Sequence, residues 1–202
     1  MASAYALGEH VVIFTDPQHQ QAVMGFEPDG DLIEAYTRFV ASVGAEVLGS
    51  GLHRTLVGAT PDFDPSPAMV RMRLGSDADV ARLNAFFDQC SESDLEEADI
   101  DRDDLDPVIF CIEATPGGEL IGYASALPEP HFAGEWDIGV LTHVDHRRQG
   151  LGERCVRHLS AHLLAAGEIP LYRHDVLNDP SAALASAVGF VSVSSVTAAR
   201  FG

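Results

Sequence analysis

His143-Val144-Asp145-His146-Arg147-Arg148-Gln149-Gly150-Leu151-Gly152 joins an apolar run, Asp137 to Thr142, to a helical pattern that begins at about Gly152. Glycines at 150 and 152 let the backbone approach a ligand closely and adopt positive φ. The loop opens straight into a helix N-terminus, where free N–H groups and the positive end of the helix dipole suit a phosphate or pyrophosphate. Arg147 and Arg148 add positive charge. The same spacing also serves an ordinary strand-to-helix turn, so spacing alone leaves two readings open.

The flanks decide the fold class. Downstream, Cys155, Val156, Leu159 and Leu163 share one face of a helix running to about Ala166. Ile169 to His174 reads as a strand, Pro180 to Val188 as a helix and Phe190 to Val193 as a strand. Upstream, strands are expected from about Trp136 to Thr142, from Leu120 to Ser125 and from Pro107 to Ile112, with a turn at Pro116-Gly117-Gly118. Before them come the acidic stretch Glu92 to Asp106, a helix capped by Ser76 that carries Val80, Leu83, Phe86 and Phe87, and a strand in Met69 to Leu74. Strands alternating with helices make an α/β protein with a mixed sheet. Nearer the start, His10 to Phe14 reads as a strand, Leu32, Ala35, Tyr36, Phe39 and Val40 as a helix face, and Glu46-Val47-Leu48 as a strand. Thr60 to Pro67 is rich in proline and aspartate and reads as a linker. The expected organisation is a small α/β appendage at 1–65 and a main domain at 66–202.

Composition narrows the partners. The chain has 202 residues and a formal charge of −19, and all twelve basic residues are arginines. Such a surface repels phosphate backbones and anionic membranes, and favours cationic or amine partners. No apolar run approaches the roughly 20 residues that span a bilayer. Met1 to Glu9 lacks the basic start of a signal peptide, and Cys90, Cys111 and Cys155 form no spaced framework. The expected location is therefore the reducing cytoplasm.

Arg147-x-x-Gly150-x-Gly152 resembles the Arg/Gln-x-x-Gly-x-Gly/Ala signature of the GNAT superfamily of N-acetyltransferases. Asp137-Ile138-Gly139-Val140-Leu141-Thr142 resembles the strand before that signature. Asn178-x-x-Ser181, followed by Gly189-Phe190, resembles the family's second region. The resemblance runs from about Val70 to the C-terminus. It implies a mixed, mostly antiparallel central sheet flanked by helices, with the fourth and fifth core strands splayed around the pantetheine arm. It implies acetyl-CoA as co-substrate and a small-molecule or peptide amine as acceptor. Val140, Leu141 and Thr142 would offer backbone groups to the acetyl carbonyl and pantetheine. Arg147, Arg148, Gln149, Gly150, Leu151, Gly152 and Glu153 would form the pyrophosphate cradle. Asn178 and Ser181 would lie along the pantetheine arm.

One part of the pattern is missing. Many relatives place a tyrosine four residues before the Gly-Phe pair to protonate the leaving thiolate, and here that position is Ala185. Tyr172 is the candidate substitute. For the general base, Glu135 and Asp137 flank Trp136 and share one strand face. His131 and His174 are further candidates, and Glu135 leads. Asp99-x-Asp101-x-Asp103 begins like a calcium loop, but Asp104 stands where glycine is required and Phe110 where glutamate is required. His158 and His162 have metal-ligand spacing without a third ligand, so no metal is expected. The leading expectation is an amine acetyltransferase acting by direct attack. The alternative is a catalytically silent acyl-CoA-binding module. Residues 1–65 are expected to dock on the main domain or to contribute to a homodimer.

Overall fold

The computed structural model describes residues 1–7, 10–27, 29–56 and 69–202. The stretch Thr60 to Pro67 lies outside these residues. Two compact units interleave along the chain. One takes Met1–Thr55, Arg173–Ala185 and Phe190–Gly202; the other takes Leu56–Tyr172 and Ser186–Gly189.

The first unit opens with two antiparallel strands, β1 (Ala2–Leu7) and β2 (His10–Thr15). A short helix α1 (Gln20–Val23) precedes α2 (Leu32–Ser42), whose N-cap Asp31 accepts a hydrogen bond from the Glu34 N–H at 3.0 Å. Strand β3 (Glu46–Leu56) follows. The second unit then runs through β4 (Met69–Arg71), α3 (Asp77–Phe87), α4 (Glu92–Glu97), β5 (Val108–Glu113), β6 (Leu120–Pro128), β7 (Glu135–Thr142), α5 (Leu151–Ala165) and the first residues of β8 (Ile169–Asp175). The chain closes with α6 (Asp179–Val188) and β9 (Phe190–Arg200).

The nine strands order as β2-β1-β9-β3-β8-β7-β6-β5-β4. The β7–β8 pair is parallel, whereas β1–β2, β1–β9, β4–β5, β5–β6 and β6–β7 are antiparallel. The mixed, mostly antiparallel sheet flanked by helices is the architecture expected above. In the first unit, strands from the two ends of the chain alternate: β9 lies between β1 and β3, and β3 lies between β9 and β8. Ala4, Tyr36, Val40 and Ala199 form that unit's buried cluster, with Phe26 and Phe39 against it.

In the second unit the sheet is covered by two layers. Alternation places Cys111, Tyr123 and Leu141 on one face, against Leu83, Phe86 and Phe87 of α3. Cys155, Val156, Leu159 and Leu163 of α5 are buried as the helical spacing predicts, and α5 packs on β5, β6 and β7. His158 and His162 stand edge-on against Phe110, at ring distances of 4.6 and 5.1 Å. The run Met69 to Leu74 forms a strand only as far as Arg71.

Candidate functional site

Strand β7 is paired with β6 from Trp136 to Thr142. Its parallel ladder with β8 holds only Glu135↔Ile169, Trp136↔Pro170 and Asp137↔Leu171. Both strands continue past that point, to Thr142 and Asp175. The edge of β7 from Ile138 onward thus lies outside the β8 ladder. Such an edge presents backbone groups to an extended ligand. Val140, Leu141 and Thr142 occupy this stretch.

At the end of β7 the chain makes a short 3-10 turn, Val144–His146, capped by His143 Nδ1, which accepts from the Asp145 N–H at 3.2 Å. Arg147 Nε donates to the Thr142 carbonyl at 3.2 Å. Its terminal nitrogen donates to Asp94 Oδ1 at 2.6 Å. Arg148 and Gly150 then both adopt positive φ, at 60° and 75°. A left-handed arginine costs on the order of 1 kcal/mol, and such strain concentrates where backbone shape serves a ligand.

Gly150 is the N-cap of α5 and carries no side chain to cap it, whereas Ser76 caps α3 and Ser91 caps α4. The first intrahelical bond runs from the Arg154 N–H to the Gly150 carbonyl at 3.1 Å. The N–H groups of Gly150, Leu151, Gly152 and Glu153 therefore have no intrahelical acceptor. Arg147 to Gly150 are exposed, and Gly152 and Glu153 partly so. Glu153 is turned along the helix to Arg157 Nε, at 2.9 Å. Arg157 also donates to the Ala187 and Val188 carbonyls at the end of α6. The entrance suits a diphosphate: N–H groups without intrahelical acceptors, a helix dipole and the exposed cation of Arg148, which has no ion-pair partner among the described residues.

Asn178 and Ser181 meet locally. The Asn178 Oδ1 accepts from the Ser181 N–H at 3.0 Å, which caps α6. Tyr172 in β8 is buried, at 2% exposure, and Ala185 is fully buried where relatives place their tyrosine. His174 is buried, with Nδ1 2.8 Å from the Asp175 carbonyl oxygen.

The face of the β6–β7 pair that holds Tyr123 and Leu141 carries carboxylates further along. Leu127 lies opposite Asp137, and the Glu129 N–H donates to the Glu135 carbonyl at 2.8 Å. Period-two alternation then places Glu129, Glu135 and Asp137 on one face. Glu129 is nearly buried; its Oε1 accepts from the His131 N–H and lies 2.9 Å from His131 Nδ1. Burial, and then the charge of Glu129, push the Glu135 carboxyl above its ordinary range. Asp106, before β5, is also pushed up by burial, with further contributions from Asp137, Asp99 and Asp104. Glu129 escaped the sequence reading. Hairpin register, counted outward from Phe132, would have put it opposite Glu135.

The acidic stretch is partly structural. Leu95, Ile100 and Leu105 pack on the second unit's core, and Arg102 pairs with Asp88 at 2.7 Å while lying over the Phe87 ring. The end of α4 rests on β7: a Cβ on Gly139 would stand 2.7 Å from the Ala98 carbonyl oxygen. Only glycine admits this approach. Among the described residues, no helix is long and apolar enough to cross a membrane.

Residues 79–190, more than half of the chain, match the sequence profile of the acetyltransferase (GNAT) family. No curated protein shows a significant sequence match. Among solved structures, a protein from Novosphingobium aromaticivorans assigned to the GNAT family of acetyltransferases aligns over 77% of this chain and 66% of its own, with TM-score 0.59 and 21% identity. A GCN5-related N-acetyltransferase from Sphaerobacter thermophilus aligns over 98% and 76%, with TM-score 0.61 and 11% identity. A GNAT-family acetyltransferase from Colwellia psychrerythraea aligns over 83% and 61%, with TM-score 0.58 and 15% identity. The chain thus spans about two thirds of the length of these structures, and at such identities the likeness is one of fold. With the profile match covering the parted strands and the glycine-opened helix together, the chain belongs to the GNAT acetyltransferase family.

Proposed function

We propose that the protein is a cytoplasmic N-acetyltransferase that moves an acetyl group from acetyl-CoA to a primary amine by direct attack. The observation that carries this reading is the parting of β7 from β8 after three residue pairs, beside a helix whose N-terminus is open. Acetyl-CoA supplies the acetyl thioester. The N–H groups from Gly150 to Glu153, with Arg148, hold its diphosphate. The free edge at Val140, Leu141 and Thr142 binds the pantetheine amides and directs an N–H at the acetyl carbonyl oxygen.

The amine nitrogen bonds to the acetyl carbon, the carbon–sulfur bond breaks, and the amine proton passes to Glu135. Glu135 is suited to this because its raised proton affinity brings it nearer to operating pH. Tyr172 is the candidate proton donor to the leaving sulfur. Ala185 favours a second reading, a module that binds acyl-CoA without catalysis. Release of free thiol from acetyl-CoA, followed over a panel of primary amines, separates the two. Amine-dependent release supports transfer. Tight coenzyme A binding with no release above the amine-free rate leaves the silent module.

A further inference from the structure

The signature arginine is held by β7 and α4. Arg147 spans the end of β7 and α4, with one nitrogen on the Thr142 carbonyl and another on Asp94 Oδ1 at 2.6 Å. A guanidinium has five donors but one charge, and a carboxylate at that distance neutralises it. Arg148, next in sequence, has no such partner among the described residues and is exposed. Asp94 is itself held. Its second oxygen accepts from the Ser91 hydroxyl, and its N–H donates to Ser91 Oγ at 3.2 Å. Ser91, and then Arg147, keep its carboxyl charged below the usual carboxylate range.

We infer that Asp94 is a positioning residue of the diphosphate loop, acting through Arg147 to pin the loop entrance to α4 and to the end of β7. Residues 148 and 150 then keep their left-handed conformations, and the open N–H groups of α5 stay aimed outward. This rests on the diphosphate reading of the loop given above. A direct phosphate contact by Arg147 has the opposite consequence: Asp94 would then compete with the ligand, and removing its charge would tighten binding.

The test uses the full-length protein with Asp94→Asn, Arg147→Gln, the double variant and Ser91→Ala. Coenzyme A affinity is measured by calorimetry, and amide hydrogen exchange over residues 144–150 is measured without ligand. Half-exposed ion pairs of this kind are expected to give about a fivefold effect. Each single charge variant is expected to weaken coenzyme A about fivefold, the double variant no more than either, and Ser91→Ala by under about twofold. Asp94→Asn is also expected to speed exchange in the loop about fivefold. Tighter or unchanged coenzyme A binding in Asp94→Asn overturns the inference, as do additive losses in the double variant. An equal loss in Ser91→Ala overturns it too, since helix capping alone would then account for the effect. If the wild type binds no coenzyme A, the functional reading falls, and the exchange comparison decides the inference by itself: unchanged loop exchange in Asp94→Asn rejects it.

Discussion

Replacing Gly139 by alanine adds one methyl group to β7 where the backbone of another element already lies. The new Cβ would stand 2.7 Å from the Ala98 carbonyl oxygen and 3.1 Å from Ser125 Oγ. A relaxed carbon–oxygen contact is about 3.3–3.6 Å, so the last turn of α4 must retreat by roughly 0.6–0.9 Å. Ser125 is fully buried and has little room to yield. Overpacking of this kind costs about 1–3 kcal/mol. Against it stands a gain of about 0.5–1 kcal/mol from a less flexible unfolded chain. The clash is expected to win, by about 1–2 kcal/mol. For a chain of this size the thermal midpoint falls by roughly 2–4 °C per kcal/mol, so a loss of about 2–8 °C is expected. Unfolding can be followed by the fluorescence of the single tryptophan, Trp136, which sits on the same strand. Gly49→Ala is the control, because a Cβ there meets nothing within 4 Å and needs no positive φ. It is expected to be neutral or slightly stabilising. A Gly139→Ala protein as stable as wild type would show that α4 does not rest on β7 as described.

Glu135→Gln is expected to lower kcat/KM by about 10²–10⁴-fold and to remove the acidic limb of the pH–rate profile, because the reactive form is the ionised carboxylate. Glu129→Gln is expected to move that limb to lower pH, since the Glu129 charge helps to hold the Glu135 proton; an unmoved limb would break the link between them. Glu135→Gln is not expected to destabilise the protein at neutral pH. A carboxyl whose folded value is raised favours folding only at acidic pH and loses that contribution as pH rises, and thermal unfolding at two pH values checks the sign. Deleting residues 1–56 takes β1 and β3 from either side of β9, so residues 57–202 alone are expected to lose cooperative unfolding; a sharp transition at the wild-type midpoint would contradict this. With 31 acidic residues against 12 basic ones, a polyamine is expected to turn over faster than an acidic amino acid at low salt, with the gap narrowing as salt rises. The reverse preference at low salt would end the case for a cationic acceptor.

The second unit was legible where local pattern and tertiary role agree. The alternation of Asp137 to Thr142, the glycines at 150 and 152 and the face of Cys155, Val156, Leu159 and Leu163 each specify an element without help from distant residues. The first unit was harder because its strands depend on one another. Ala2–Leu7 is half alanine, a residue with weak strand preference, and becomes β1 because β2 and β9 pair with it on either side. The stretch Gly49-Ser50-Gly51 hides the continuation of β3, and Ser194-Ser195 hides that of β9. Spacing could group Arg147 with Arg148 as neighbouring cations. It could not show that one is spent on Asp94, which lies 53 residues away in sequence. Hairpin register, rather than composition, brings Glu129 opposite Glu135.

Calorimetric titration of coenzyme A into the wild type and into Gly150→Glu tests the diphosphate reading of the helix entrance most directly. The substitution places a carboxylate at a left-handed N-cap that is open to solvent and has no neighbour within 4 Å, so it opposes the ligand without a steric clash, at a backbone cost of about 1–2 kcal/mol for the left-handed conformation. Wild type is expected to bind in roughly the micromolar to submillimolar range, and the variant at least about tenfold more weakly. Equal affinities in the two proteins, or no binding by wild type, would contradict the assignment of the loop from Arg148 to Glu153.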